Sequence, residues 1–323
     1  MPSVRSHLRP VIAGATALLA VSALSACADD PEPTSGSRPV ETSAGEGTET
    51  SDAAPATPGG TPAALALVDA GAGPRRVVTL DVAEGHTETT SLAMQTTTTV
   101  DLMSSAPIEL PVTLPYTSTV TGVDDDGITV EIDYGRPQVE AGDDLVGSLL
   151  AQAEEAFTLL DAATTEVVYA PSGQVVSQET DLGASAPAIV DRLLDDVNAS
   201  GFALALPFPD EAVGVGARWS LDGEVTVGEV TSTTTTEFEL VEVTARGYVV
   251  EVRTTQTALP GDLPQGVGAV VDGSTTSTGT FEGRVGLIGP ASATATSEGS
   301  ATVEMGGQRI TTTYAVELDA STS

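Results

Sequence analysis

Lysine is absent from this chain of 323 residues, cysteine and tryptophan occur once each, and histidine occurs twice. Each scarcity closes a class of chemistry. Twelve arginines stand against 46 acidic residues, a formal charge of -34, so polybasic recognition of nucleic acid or of anionic lipid headgroups is excluded. A single cysteine forms no internal disulfide, and zinc or copper centres built from several thiolates or imidazoles lack their ligands. Catalysis of the Ser-His-Asp or Cys-His kind needs an imidazole beside its nucleophile. Beyond the first segment only His86 remains, and Glu84, Gly85, His86 and Thr87 read as an exposed turn between strands. No P-loop or Gly-rich dinucleotide fingerprint follows a strand. The expectation is a protein that is not an enzyme and carries no cofactor and no metal.

What is present begins with an export pattern. Arg5 and Arg9 precede an apolar run from Val11 to Ala23, which is too short to span a bilayer as a helix. Small residues follow, ending in Leu24, Ser25, Ala26 and Cys27. These four residues resemble the lipobox of bacterial lipoproteins. The resemblance implies a signal peptide over 1–26, a diacylglyceryl group on the Cys27 sulfur, cleavage before that residue and acylation of the new amino terminus. Each buried methylene adds roughly 0.8 kcal/mol of membrane affinity, so two chains hold where one would not. The implied address is extracytoplasmic, anchored to the cell membrane by lipid. A plain secretory signal that contains a cysteine is the alternative. Residues 1–26 carry two arginines and no acid, so their removal takes the charge from -34 to -36.

From Ala28 to about residue 62 the chain is Pro, Gly, Ser, Thr, Ala and acid, without apolar periodicity or an aromatic ring. Such a segment cannot offset its ordering entropy and is expected to be a disordered tether, holding the body roughly 30 Å from the membrane. Its composition also suits O-glycosylation.

The body, 63–323, is expected to be α+β and mainly antiparallel β, as one or more strongly curved sheets or a half-barrel with two amphipathic helices on one face. Strand alternation is the leading signal. Ile128, Val130, Ile132 and Tyr134 alternate with Thr129, Glu131 and Asp133, and Ile310, Thr312, Tyr314, Val316 and Leu318 alternate with Arg309, Glu317 and Asp319. Val78, Leu80 and Val82 read as a strand face, as do Phe281, Val285 and Leu287. Helices are expected over 143–161, with Val146, Leu149, Leu150, Ala153, Phe157 and Leu160 on one stripe, and over 185–201, with Pro187 in its first turn. The run from Val123 through Gly127 to Ile132 has the spacing of that from Val243 through Gly247 to Val252, each after a Thr-rich strand. Two related halves, about 63–180 and 205–323, would explain the echo.

The stretch from Leu206 to Trp219 resembles a segment of an uncharacterised family of exported bacterial proteins, with Ala217 standing where that family usually has an acid. The family brings no established activity, so the resemblance bears on the fold and leaves the function open. In architecture alone the body resembles the LolA-like and LppX-like half-barrel carriers, which implies a space for lipid tails between helices and sheet.

The remaining motifs carry two readings each. Asp124, Asp125, Asp126 and Gly127 suggest calcium but lack the spaced acids and distal glutamate of an EF-hand, and Asp-Gly between alternating runs is a hairpin signal. Glu154 with Glu155, and Asp195 with Asp196, read as solvated helix faces rather than a hydrolytic pair. Thr96–Thr99 and Thr233–Thr236 read as solvated strand faces rather than an adhesive array. Trp219 is a core anchor or a pocket wall, and Pro260–Gly273 a mobile lid or a long loop. With five tyrosines, five phenylalanines and one tryptophan, Val, Leu, Ile and Ala must fill either a thin core or an apolar cavity. The sequence therefore points to a non-catalytic module that meets the membrane through lipid on Cys27 and binds a lipid-like small molecule or an envelope protein. The alternative is a structural or interaction module with no small-molecule ligand.

Overall fold

A computed structural model of the chain describes residues 64–101, 107–124, 127–139, 163–181, 205–227, 230–263 and 268–323. Cys27, the tether and both expected helices lie outside the described residues. The strands are β1 Ala64–Asp69, β2 Thr87–Val100, β3 Ile108–Asp124, β4 Gly127–Tyr134, β5 Gln138–Val139, β6 Thr164–Tyr169 and β7 Val175–Asp181. They continue with β8 Arg218–Val227, β9 Val230–Thr244, β10 Gly247–Ala258, β11 Gly261–Asp262, β12 Ala269–Arg284, β13 Pro290–Met305 and β14 Gln308–Thr322. No helix occurs among the described residues. All fourteen strands belong to one antiparallel sheet in the order β1-β8-β9-β10-β12-β13-β14-β2-β3-β4-β6-β7, with β11 beside β12 and β5 beside β3.

Threonine and valine dominate these strands because a branched Cβ suits the pleated backbone and crowds a helix. Alternation sets which face each residue takes. In β14, Ile310, Thr312, Tyr314 and Val316 are buried between more exposed neighbours, and in β4 Ile128, Val130 and Ile132 are buried opposite the exposed Glu131 and Asp133. A one-residue slip would reverse every one of these positions.

The order contains the same meander twice, β2-β3-β4-β6-β7 and β8-β9-β10-β12-β13, with β14 between them. The β3-β4 hairpin pairs Asp124 with Gly127, and the β9-β10 hairpin pairs Thr244 with Gly247. Each ladder has one irregularity, at Thr121 in the first and Val241 in the second, positions equivalent within the echo. The entry turns match as well. Gly85 and Gly216 have positive φ, 82° and 80°, and their N–H groups reach Val120 O at 2.8 Å and Leu240 O at 2.7 Å. Val120 and Leu240 bond back to the carbonyls of His86 and Ala217.

One end of the sheet is sealed. Residues 70–86 and 205–217 cross it, joined at the Arg76–Val213 bridge. Leu80 N–H bonds Pro171 O at 2.8 Å, and Phe208 N–H bonds Ser172 O at 2.8 Å, so both segments grip the β6-β7 turn. The Phe208 ring in turn lies 5.4 Å from that of Trp219 in β8. Strands far apart in the order thus approach one another here. Two apolar clusters fill this end, one around Val120, Val130, Val167 and Tyr169 and one around Phe208, Trp219, Phe238 and Leu240. A third cluster, with Val230, Leu263, Val270, Val303 and Ile310, lies at the opposite end.

Four sequence expectations change. Val78, Leu80 and Val82 do alternate inward but are not strand, since residues 77–82 lie across the sheet end and, among the described residues, make one backbone bond outside it, Leu80 N–H to Pro171 O. Of Phe281, Val285 and Leu287 only Phe281 is strand; Val285 and Leu287 sit in the β12-β13 turn, the first exposed and the second half-buried. The segment 260–273, read as a lid or a long loop, is mostly strand where it is described, with Gly261 and Asp262 paired to Val270 and Ala269, and Ala269–Gly273 opening β12. Of Thr233–Thr236, Thr234 and Thr236 are buried and only Thr233 and Thr235 face solvent, while Thr96–Thr99 are half-buried throughout. The inner face between the end clusters is therefore polar. One row across it runs Thr234, Gln256, Thr275, Gly299 and Tyr314.

Candidate functional site

A pocket of about 160 Å³ opens at the sealed end. Three pieces of chain build it: residues 76–81 of the crossing segment, the β9-β10 hairpin with Val243, Thr244, Gly247 and Tyr248, and the end of β12 with its turn, Arg284 to Leu287. Ser172 and Phe208 complete the lining. The two turns are tied by the Val285 N–H to Arg246 O bond, 2.9 Å. Gly247 must lack a side chain, because a Cβ there would enter the Gly283 carbonyl.

The lining has an aromatic floor and a mixed rim. Phe208 and Tyr248 meet edge to face at 4.7 Å, a geometry their quadrupoles favour. Burial pushes the Tyr248 phenol up to about 12, and the nearby Glu88 charge adds to the shift. On the rim, Val77 and Val285 are 52% and 57% exposed. Beside them stand Arg76 and Arg284, and neither guanidinium forms an ion pair among the described residues. Asp81 also lines the rim, leaving the lining with net positive charge in a strongly acidic chain.

Behind the pocket lies a buried carboxylate. Glu88, 3% exposed, accepts the N–H of Gly289 at 3.0 Å and of Ile288 at 3.3 Å, which holds the β12-β13 turn against the start of β2. His86 Nε2 lies 3.6 Å from its Oε2. Burial raises the Glu88 pKa above the ordinary glutamate value, opposed by the two backbone donors and by His86. By the repeated entry turn, Glu88 holds in the first meander the place of Trp219 in the second. Their cross-strand partners correspond too, Ser118 opposite Glu88 and Phe238 opposite Trp219. A polar pair thus replaces an aromatic one.

The sequence candidates fall around this site unevenly. His86 occupies its expected turn but is not simply exposed, since it faces Glu88. Asp124 and Gly127 form the expected hairpin, with the Gly127 N–H on Asp124 Oδ1 at 3.2 Å. Trp219 is a core anchor: it is 1% exposed, stacks on Phe238 at 5.3 Å and donates its Nε1–H to Pro207 O at 2.9 Å. It is not itself part of the pocket lining but packs on Phe208, which is. Glu154, Glu155, Asp195 and Asp196 lie outside the described residues. Among the described residues no three His, Cys, Asp or Glu side chains are grouped as metal ligands.

Glu88, Arg76 and Arg284 were not singled out from the sequence. Glu88 left a trace there, as an acid in phase with the buried positions Thr90 and Leu92. The arginines left none, because their convergence depends on the crossing of residues 70–86 over the β12-β13 turn.

No protein-family model matches the chain, and no curated protein does. Among solved structures, a mutant porin from Rhodopseudomonas blastica aligns with a TM-score of 0.25 at 8% identity, over 72% of this chain and 100% of the porin. A triple mutant of a porin from that organism aligns with a TM-score of 0.24 at 7% identity, over the same shares. Scores this low carry no assignment of fold or function.

Proposed function

We propose that the chain is an exported lipoprotein, anchored through lipid on Cys27, whose half-barrel body is a non-catalytic module that binds an amphipathic molecule at the sealed end. The anchor rests on Leu24–Cys27 and its apolar run. The binding role rests on one observation, a pocket with an aromatic floor whose rim sets two exposed valines beside two arginines that form no ion pair among the described residues. Exposed apolar side chains beside an aromatic floor give a ligand's hydrocarbon a surface to cover. At about 160 Å³ the pocket is smaller than the roughly 300–1,000 Å³ that encloses a whole drug-sized ligand. It takes one end of a molecule, and the rest lies over the rim.

Two measurements test this. Labelled palmitate should enter the wild-type protein in a lipoprotein-processing host and be lost with Cys27→Ser; a protein that stays unlabelled and partitions into the aqueous phase of a detergent separation ends the anchor. Native mass spectrometry of protein released from membranes should show a bound amphiphile that Phe208→Ala sheds. A body that is always empty ends the binding role.

A second reading, an envelope interaction module, is favoured by the sheet edges. Among the described residues β1 and β7 each pair on one side only, with Val68 and Val176 exposed on them, and an open edge can receive a partner strand. It predicts reproducible crosslinks from β1 or β7 to one envelope protein, and their absence would remove it.

A further inference from the structure

Resting on the proposed binding role, we infer that the pocket selects amphiphiles with an anionic oxyacid head, a carboxylate or a phosphate, held between Arg76 and Arg284. These residues come to the rim from unrelated parts of the chain. Arg76 is half-buried and fixed by its backbone bridge to Val213, and Arg284 ends β12 opposite Gly247. The chain offers carboxylates in excess, 46 of them, yet neither guanidinium has taken one among the described residues. Arg75, next in sequence, has its donors on Gly71 O, so local geometry does not forbid pairing. Two free guanidiniums on one rim present planar donor forks that match an oxyacid, which alcohols and amines do not satisfy. Exposed Val77 and Val285 on the same rim take the adjoining hydrocarbon.

This is compatible with the overall acidity. A charge of -34 repels anionic surfaces at long range, but exposed charges more than about 10 Å apart are largely screened at 0.1 M salt. The contact at the rim is shorter than that. The field of the chain therefore opposes adsorption of the body to anionic surfaces and nucleic acid, while the rim admits one monomeric anion.

Trp219 supplies the readout, since Phe208 lies between it and the pocket. The whole chain carrying Cys27→Ser, so that no acyl anchor competes, is titrated with dodecanoate, dodecyl phosphate, dodecanol and dodecylamine below their micellar concentrations. Trp219 emission and native mass spectrometry follow binding. At least one of the two acids should bind about tenfold or more tighter than dodecanol, and the tighter of them names the head. Arg76→Gln and Arg284→Gln should each lower the ratio of acid to dodecanol affinity toward one, Arg284→Lys should retain part of it, and Asp81→Asn should tighten both acids. Thermal melts of each variant confirm folding, and exposed Arg284 gives the cleaner arm. Equal binding of acids and alcohol, indifferent to the arginine variants, overturns the selectivity while the amphiphile pocket stands. If no probe binds, the pocket itself is wrong and this inference falls with it.

Discussion

Replacing Trp219 with Phe separates a core anchor from a surface that waits for ligand. The indole lies between Phe238 and Phe208 and its N–H is the donor to the buried Pro207 carbonyl. Phenylalanine keeps a ring there but leaves that carbonyl without its donor, which costs about 1–2 kcal/mol. The smaller ring also gives up one to two methylene equivalents of burial, about 1–1.5 kcal/mol. The expected loss is about 2–3 kcal/mol, or about 5–10 °C in Tm for a body of this size. Urea and thermal unfolding followed by far-UV circular dichroism measure it, because the variant has no tryptophan left to report. Val68→Ala, on an exposed edge position, is the control and should stay within about 0.5 kcal/mol. If Trp219→Phe unfolds with the control, the anchor assignment is refuted. The double variant with Phe208→Leu should fall short of additivity by about 0.5–1.5 kcal/mol, since the rings touch.

Glu88 sets a pH dependence of unusual sign. Its folded pKa is raised from 4.5, so between that value and its raised one the folded chain holds more protons than the unfolded chain, and stability falls as pH rises through that window. Glu88→Gln should flatten this component when Tm is compared with wild type from pH 4 to 7; parallel curves would contradict it. Thr234 Oγ1, 2% exposed, has no hydrogen-bond partner among the described residues, so Thr234→Val should be neutral or stabilising by up to about 1 kcal/mol. Thr254→Val, which breaks the 3.1 Å bond to Thr236, should cost about 1 kcal/mol instead; equal denaturant midpoints would defeat the distinction. Gly299 sits opposite Tyr314, whose phenol bonds Thr275, and a Cβ there would meet Tyr314 and, at 2.7 Å, the Ser274 carbonyl. Gly299→Ala should therefore destabilise by about 1–3 kcal/mol, and a gain on calorimetry would refute the close approach.

Much of the sheet was legible because its signal is local. Period-two alternation marked the buried faces of β4 and β14, and Asp-Gly marked the β3-β4 turn, since both depend on neighbours within a few residues. The echo between 123–132 and 243–252 pointed to hairpins that do share register and bulge. The same local signal misled at 78–82, where burial alternates because the segment lies on apolar clusters, without a ladder. It misled again at Thr234 and Thr236, where a threonine face read as wet lies inside. Composition cannot say which face of a two-sided polar strand turns inward. Convergence of Arg76 with Arg284, or of Glu88 with the Ile288 and Gly289 amides, spans about 200 residues, and no periodicity encodes a meeting at that distance.

The position of β14 reaches beyond architecture. It alone stands between Pro290–Met305 and Thr87–Val100, so the two meanders share no ladder until residues 308–322 have arrived. A chain crossing a membrane in extended form can fold each meander locally as it emerges, but the seam closes late and over a separation of more than 200 residues, which slows its formation. A chain interrupted between residues 305 and 308 would hold both meanders complete and still lack the strand that zips them together.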